Sequence, residues 1–425
     1  MTVHTPPPAP ESIAQSGVGH RLLFDLVLKL LHVERLSTAS ALCARSRLPV
    51  ALVSDLVDEL RRLMLLETLG THGRDFAAEL RYALTSKGHD WAAAALERSQ
   101  YVGPAPVSLE AFREQVEKQR LAHETVGPGQ LARSFAQLVL PEDLLARLGP
   151  AVNSGKSILL YGRSGNGKTA IAEALRDAFS DVIAVPYCIA VDGQIINYFD
   201  AHAHEVVPDR DGDELGLRTG ATRDRRWVAC RRPVTVVGGE LTLEMLDLVF
   251  DPATKFYEAP AHLKATGGVF LIDDFGRQRT SPESILNRWI VPLERGVDYL
   301  SLRTGKKFPV PFDGLVIFST NLTPTDLADE GMLRRLHYKI EVTPPTREDY
   351  ARIWTLVCAE RGLELPDAML PFLESSLYAQ DGIARAGCHP RYLVDQVAAI
   401  CDYEGEPLRL DRRRLRLAWS NLFVA

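Results

Sequence analysis

The sequence predicts an α/β protein built on a parallel sheet, followed by a helical region and preceded by a small module of helices and a hairpin. Three observations carry that reading. The apolar run Ile158-Leu159-Leu160-Tyr161 feeds a glycine-rich loop, Gly162-Arg163-Ser164-Gly165-Asn166-Gly167-Lys168-Thr169, which passes into the helix-forming Ala170-Ile171-Ala172-Glu173-Ala174-Leu175. A second run, Val269-Phe270-Leu271-Ile272, ends in Asp273-Asp274. A third, Leu315-Val316-Ile317-Phe318-Ser319-Thr320, ends in Asn321. Short uninterrupted apolar runs with polar C-terminal tips are the mark of strands buried on both faces of a parallel sheet.

The first run with its loop matches the phosphate-binding P-loop pattern at every fixed position. Glycines let the backbone curl so that successive N–H groups and a helix N-terminus face an anion. Lys168 then offers a point charge to the phosphates, and Thr169 offers its hydroxyl to Mg2+. In the second run Asp273 is placed to hold that metal and Asp274 to polarise an attacking water. ATP and Mg2+ are the expected cofactors.

The rest of the chain divides around this centre. With 425 residues, 46% apolar and 24% charged, the chain has room for two or three domains of ordinary globular composition. Its net charge of −6 argues against coating nucleic acid through a bulk positive field. Six cysteines without a Cys-x-x-Cys pair indicate neither a zinc site nor a disulfide framework, and fit a reducing cytoplasm. No basic start followed by an apolar run marks a leader, and no stretch approaches a membrane span. Residues 1–20, proline-rich at Pro6-Pro7-Pro8, read as a disordered tail, and 101–140 as a linker with a charged helix from Glu110 to Gln119.

Between residues 21 and 100 the pattern is three helices and a hairpin. Pro49 opens the third helix, with Leu52, Val53, Leu56 and Leu60 at helical spacing, and Gly70-Thr71-His72-Gly73-Arg74-Asp75 forms the turn. This order resembles a winged helix-turn-helix domain, with Leu84-Thr85-Ser86-Lys87-Gly88-His89 similar to the segment that closes the wing. The module carries 11 Lys/Arg and 10 Asp/Glu, and its would-be recognition helix presents Ser54, Asp55, Asp58 and Glu59. Carboxylates there repel a phosphate backbone, and Arg61, Arg62 and Arg74 offset this only in part. Docking of DNA and docking of a protein both remain open.

Residues 141–343 and 344–425 together resemble an AAA+ ATPase, as a P-loop core and a helical lid. The resemblance implies Asn321 as sensor 1. It implies an arginine finger within Gly331-Met332-Leu333-Arg334-Arg335-Leu336, with Arg335 preferred over Arg334. Cys388-His389-Pro390-Arg391-Tyr392-Leu393 resembles the start of a sensor 2 helix, making Arg391 the lid arginine. Asp298–Arg303 and Lys307–Phe312 around Thr304-Gly305 look like the clade with a β-hairpin before sensor 1. Asp274 departs from the family, in which many members carry Glu, so slow hydrolysis is implied. The Gly-Ala-Phe-Thr-Gly-Ala loop of enhancer-binding proteins is absent, as is the Asn-Lys-x-Asp base-recognition motif of GTPases. The resemblance further implies a homo-oligomer, a ring in that family's manner, acting as a remodeller on an unidentified protein or DNA. Arg225, Arg226, Arg231 and Arg232 would contact a threaded partner if their segment faces the ring channel, or else belong to a solvated loop. The rival readings are an ATP-switched DNA-binding regulator and a protein-docking scaffold with slow hydrolysis.

Overall fold

A computed structural model describes residues 4–72, 79–208 and 223–423. The Gly73-Arg74-Asp75 part of the expected turn lies outside the described residues. The centre is a five-stranded parallel sheet: β1 Ile158–Tyr161, β2 Val234–Val237, β3 Val269–Ile272, β4 Leu315–Thr320 and β5 Tyr338–Glu341, in the spatial order β5-β1-β4-β3-β2. Alternate residues serve opposite faces. Ile158, Leu160, Val269, Leu271, Leu315 and Ile317 pack into one core with the helices Glu142–Asn153 and Lys168–Ala178. Leu159, Phe270, Ile272, Val316 and Phe318 join a second core around Trp289, Phe275 and Leu336. Helices on both sides explain why these strands read as unbroken apolar runs.

A second sheet, mixed in direction, stands beside the first, with strand order Val249–Asp251, Phe256–Glu258, Gln194–Asn197, Cys188–Val191 and Val107–Ser108. Its core includes Leu300, Leu302, Phe308 and Val310 from the antiparallel hairpin Val297–Ser301/Lys307–Pro311, so the hairpin foreseen around Gly305 is present. This sheet corrects the reading of 101–140 as a linker. Val107 and Ser108 are one of its strands, Phe112 and Val116 of the helix Leu109–Lys118 enter its core, and Leu121, Val126, Leu131 and Phe135 enter the core of the first. Charge on the exposed side of that helix masked an apolar stripe at i, i+4.

The N-terminal module contains helices His20–Val33, Ala39–Ser46 and Val50–Arg62, then an antiparallel hairpin, Leu66–His72 with Glu79–Leu84. Pro49 caps the third helix from outside it, and Thr85 starts a fourth, Ser86–Arg98, that periodicity did not single out. The module shares a core with the second sheet, since Cys188 and Ile195 pack among its leucines, and Ala105 N–H donates to Ser46 O across 2.7 Å. The proline-rich start is no loose tail over its described part. His4 lies 3.0 Å from Asp181, Asp224 N–H donates to Pro7 O, and Val18 is buried. Such a segment lacks helical or strand periodicity, yet its carbonyls still find partners on the body.

The C-terminal region is helical, with Arg347–Glu360, His389–Glu404 and Arg412–Leu422 closing over a core of Trp354, Leu373, Leu393, Val397 and Trp419. Among the described residues no helix is long and apolar enough to cross a membrane.

Candidate functional site

The loop after β1 turns on glycines that no other residue could replace cheaply. Gly162, Gly165 and Gly167 have φ of +136°, +83° and +83°, in the region that disfavours a Cβ. A Cβ on Gly162 would lie 2.4 Å from Val342 O, and one on Gly165 2.5 Å from Cys388 Sγ, whereas the Cβ position of Gly167 is open. The helix Lys168–Ala178 therefore begins beside free space, and no side chain caps its N-terminus. Orphan N–H groups at such an end suit an anion.

Lys168 is buried, and its Nζ donates to Gly162 O at 2.9 Å, Arg163 O at 3.1 Å and Asn321 Oδ1 at 2.7 Å. Burial lowers its pKa, while Asp273 and Asp274 pull the other way. The ammonium is thus desolvated, holding carbonyls that a phosphate, as a charged acceptor, would displace. Thr169 Oγ1 donates to Asp273 Oδ2 at 2.8 Å. Two hard oxygens at this separation are close to one edge of a Mg2+ octahedron, about 3.0 Å for bonds of about 2.1 Å. Among the described residues no group of three or more His, Cys, Asp or Glu stands ready to bind a metal.

β3 is not the neighbour of β1. β4 lies between them, with Ile317 paired to Ile158 on one side and Leu271 on the other. The acids meet the end of the loop through side chains, Thr169 to Asp273 and Lys168 to Asn321, and this places Asn321 in the middle. Asn321 accepts from Lys168 and donates from Nδ2 to Asp274 Oδ1 at 3.1 Å. Asp274 has φ of +48°. Asp tolerates that conformation better than most side chains, which gives a backbone reason for Asp where Glu was expected.

The three arginines do not join this group. Arg334 pairs with Glu330 at 2.7 Å and Arg335 with Glu294 at 3.1 Å. Both precede β5, whose first residue Tyr338 is level with Ile158 at the start of β1. The loop lies at the other end, four residues or about 13 Å further along the strand direction. Arg391 pairs with Glu360 of a neighbouring helix at 2.7 Å. The C-terminal region touches the loop through backbone instead: Cys388 N–H donates to Gly165 O at 2.8 Å, and Gly387 N–H to Asn166 Oδ1 at 3.3 Å. Sequence patterns register side chains and do not reveal such contacts.

The arginines assigned to a threaded partner are corrected in part. Arg226 is buried against Asp224 at 2.8 Å, and Arg232 is buried between Asp181, at 2.6 Å, and Glu124. Both are internal braces. Arg231 pairs with Glu205 at 3.2 Å, and Arg225 is exposed.

Comparison with known proteins adds little to this geometry. Residues 346–421 match a family described as "Domain of unknown function (DUF8689)". No curated protein matches the chain. Among solved structures, NtrX from Brucella abortus is 15% identical with a TM-score of 0.40, covering 71% of this chain and 56% of its own. The Holliday junction branch migration motor RuvB of Thermotoga maritima is 12% identical with a TM-score of 0.36, over 72% of this chain and 74% of its own. A mutant of that RuvB is 13% identical with a TM-score of 0.38, over 67% of this chain and 70% of its own. The chain thus spans little more than half of the NtrX structure, and the likeness extends no further than a mixed α/β architecture with a parallel sheet and helical regions.

Proposed function

We propose that this chain is a Mg2+-dependent ATPase of the AAA+ type that works as a homo-oligomer. The observation that carries the reading is the convergence of five side chains from three separate segments: Lys168 and Thr169 after β1, Asp273 and Asp274 after β3, and Asn321 after β4. ATP binds with its phosphates at Gly162–Thr169, where Lys168 exchanges carbonyl partners for phosphate oxygens. Thr169 and Asp273 would hold Mg2+, which when bound would neutralise charge on the phosphates. Asp274, fixed by Asn321, orients the attacking water, so the chemistry is positioning and charge neutralisation.

The oligomer reading is supported by where Arg334 and Arg335 lie, at the sheet end remote from their own loop; either completes a neighbour's site. Arg391 reaches the γ-phosphate only by leaving Glu360, which gives the lid a way to respond to nucleotide. The N-terminal module is a docking surface for a protein partner. Its exposed helix face carries Asp55 and Asp58, with Glu59 paired to His20 at 2.6 Å. Its shared core with the second sheet also supports a built-in part over a tethered DNA reader. A tight, salt-resistant DNA shift by the full chain favours the regulator reading instead.

ATP titration and phosphate release test the proposal. Lys168→Ala is expected to lower ATP affinity about ten- to a hundredfold, the worth of a charge-assisted contact. A folded variant with unchanged affinity takes Lys168 out of the site.

A further inference from the structure

We infer that Gln278 is a second positioning residue for Asp274, beside Asn321, and that it acts by bracing the turn after β3 against the tip of β2. The inference rests on the ATPase reading above. Asp274 and Gly276 both have positive φ, +48° and +105°, with the buried Phe275 between them. Glycine adopts such a φ freely, but Asp274 does so at a cost that outside ties must offset. One tie is β4: Phe275 N–H donates to Ser319 O at 2.7 Å, and Thr320 Oγ1 donates to Phe275 O at 2.6 Å.

Backbone bonds add to that tie, Asp273 N–H to Val237 O at 2.8 Å and Arg277 N–H to Asp274 O at 3.0 Å, and beside them stands one side-chain amide. Gln278 Oε1 accepts from Gly276 N–H at 2.8 Å, while its Nε2 faces three carbonyls, Asp273 O at 3.0 Å, Asp274 O at 3.3 Å and Gly238 O at 3.4 Å. The N–H donor and the three acceptors fix which end of the amide is oxygen. Gly238 directly follows β2, so this side chain spans two strand tips and grips Asp274 through its own carbonyl. The carboxylate is left to point at Asn321. Gln278 touches none of Lys168, Thr169 or Asn321 and meets Asp273 only at its main-chain carbonyl. Asp273 is held to β2 independently, by its N–H to Val237 O, so the effect of Gln278 falls on Asp274 rather than on nucleotide binding.

Two variants test this in the full-length chain. Gln278→Leu keeps the shape and removes all four contacts. Gln278→Glu keeps an acceptor for Gly276 but, when ionised, sets a carboxylate against three carbonyls. Both are expected to lower kcat about ten- to a hundredfold, the cost of displacing a catalytic group by an ångström or so. ATP Kd should stay within about twofold. A kcat within about twofold of wild type in folded Gln278→Leu overturns the inference, as does a parallel loss of affinity and turnover. If Gln278→Leu fails to fold, Gln278→Glu at neutral pH decides: a kcat within about twofold of wild type overturns the inference. A wild-type chain that neither binds nor hydrolyses ATP defeats the ATPase reading itself and this inference with it, whereas active wild type with unaffected variants defeats this inference alone.

Discussion

Thr169 donates its hydroxyl to Asp273 across 2.8 Å, although their strands, β1 and β3, are separated by β4. The bond joins the two oxygens that a Mg2+ ion would take as ligands, so metal binding exchanges one contact for two.

Asp273→Ala should therefore weaken the dependence of ATP affinity on Mg2+, since one of the ligands the proposed site offers the ion is lost. Titration of ATP with and without Mg2+ checks this. A variant that keeps the wild-type metal response shows that Asp273 is not a ligand.

Asp274→Asn should leave ATP binding intact and stop turnover, because Asn cannot accept a proton from water as a carboxylate does. Asn321→Ala should lower turnover in the same direction. It removes the partner of both Lys168 and Asp274, so it should also change affinity several-fold, unlike Asp274→Asn. Phosphate release measured beside binding separates the two, and wild-type turnover in Asp274→Asn removes its assigned role.

Arg335→Ala should keep ATP affinity and lose most turnover, since an arginine finger is worth about 10³–10⁵ in rate. Mixing it with Lys168→Ala subunits should restore part of the activity, because each supplies what the other lacks. Activity per subunit should rise with concentration through the assembly range. A monomer in sedimentation with full activity leaves Arg334 and Arg335 as partners of Glu330 and Glu294 only.

Lys29 gives a pH test of the N-terminal module. It is buried at 3% exposure and donates to Ser99 O at 3.0 Å. Burial pulls its pKa from 10.5 to about 8, against the attraction of Asp25. A depressed lysine contributes stability that is present above 10.5 and lost as pH falls through 8, because the unfolded chain holds the proton more tightly. Relative to Lys29→Met, wild type should therefore gain stability between pH 8 and 10.5, by about 3 kcal/mol at most. Denaturant melts of both proteins across that range check the sign, and a flat difference shows that the ammonium is not desolvated.

By itself the sequence determined the parts that depend on local chemistry. The strand, glycine loop and helix from Ile158 to Ala178 are legible because φ > 0 demands glycine and buried parallel strands demand unbroken apolar runs. Asp273, Asp274 and Asn321 were legible as polar tips on such runs. What only the tertiary structure decided are relations between segments distant in the chain. The strand order puts Asn321 between Lys168 and Asp274, a fact no spacing encodes. Arg226 and Arg232 look like Arg225 in a charged stretch, yet Asp224 and Asp181 make them internal braces. Val107–Ser108 is too short to read as a strand until Cys188–Val191 lies beside it. Gln278 has no signature at all, because its role depends on carbonyls at two strand tips that only the folded sheet brings together.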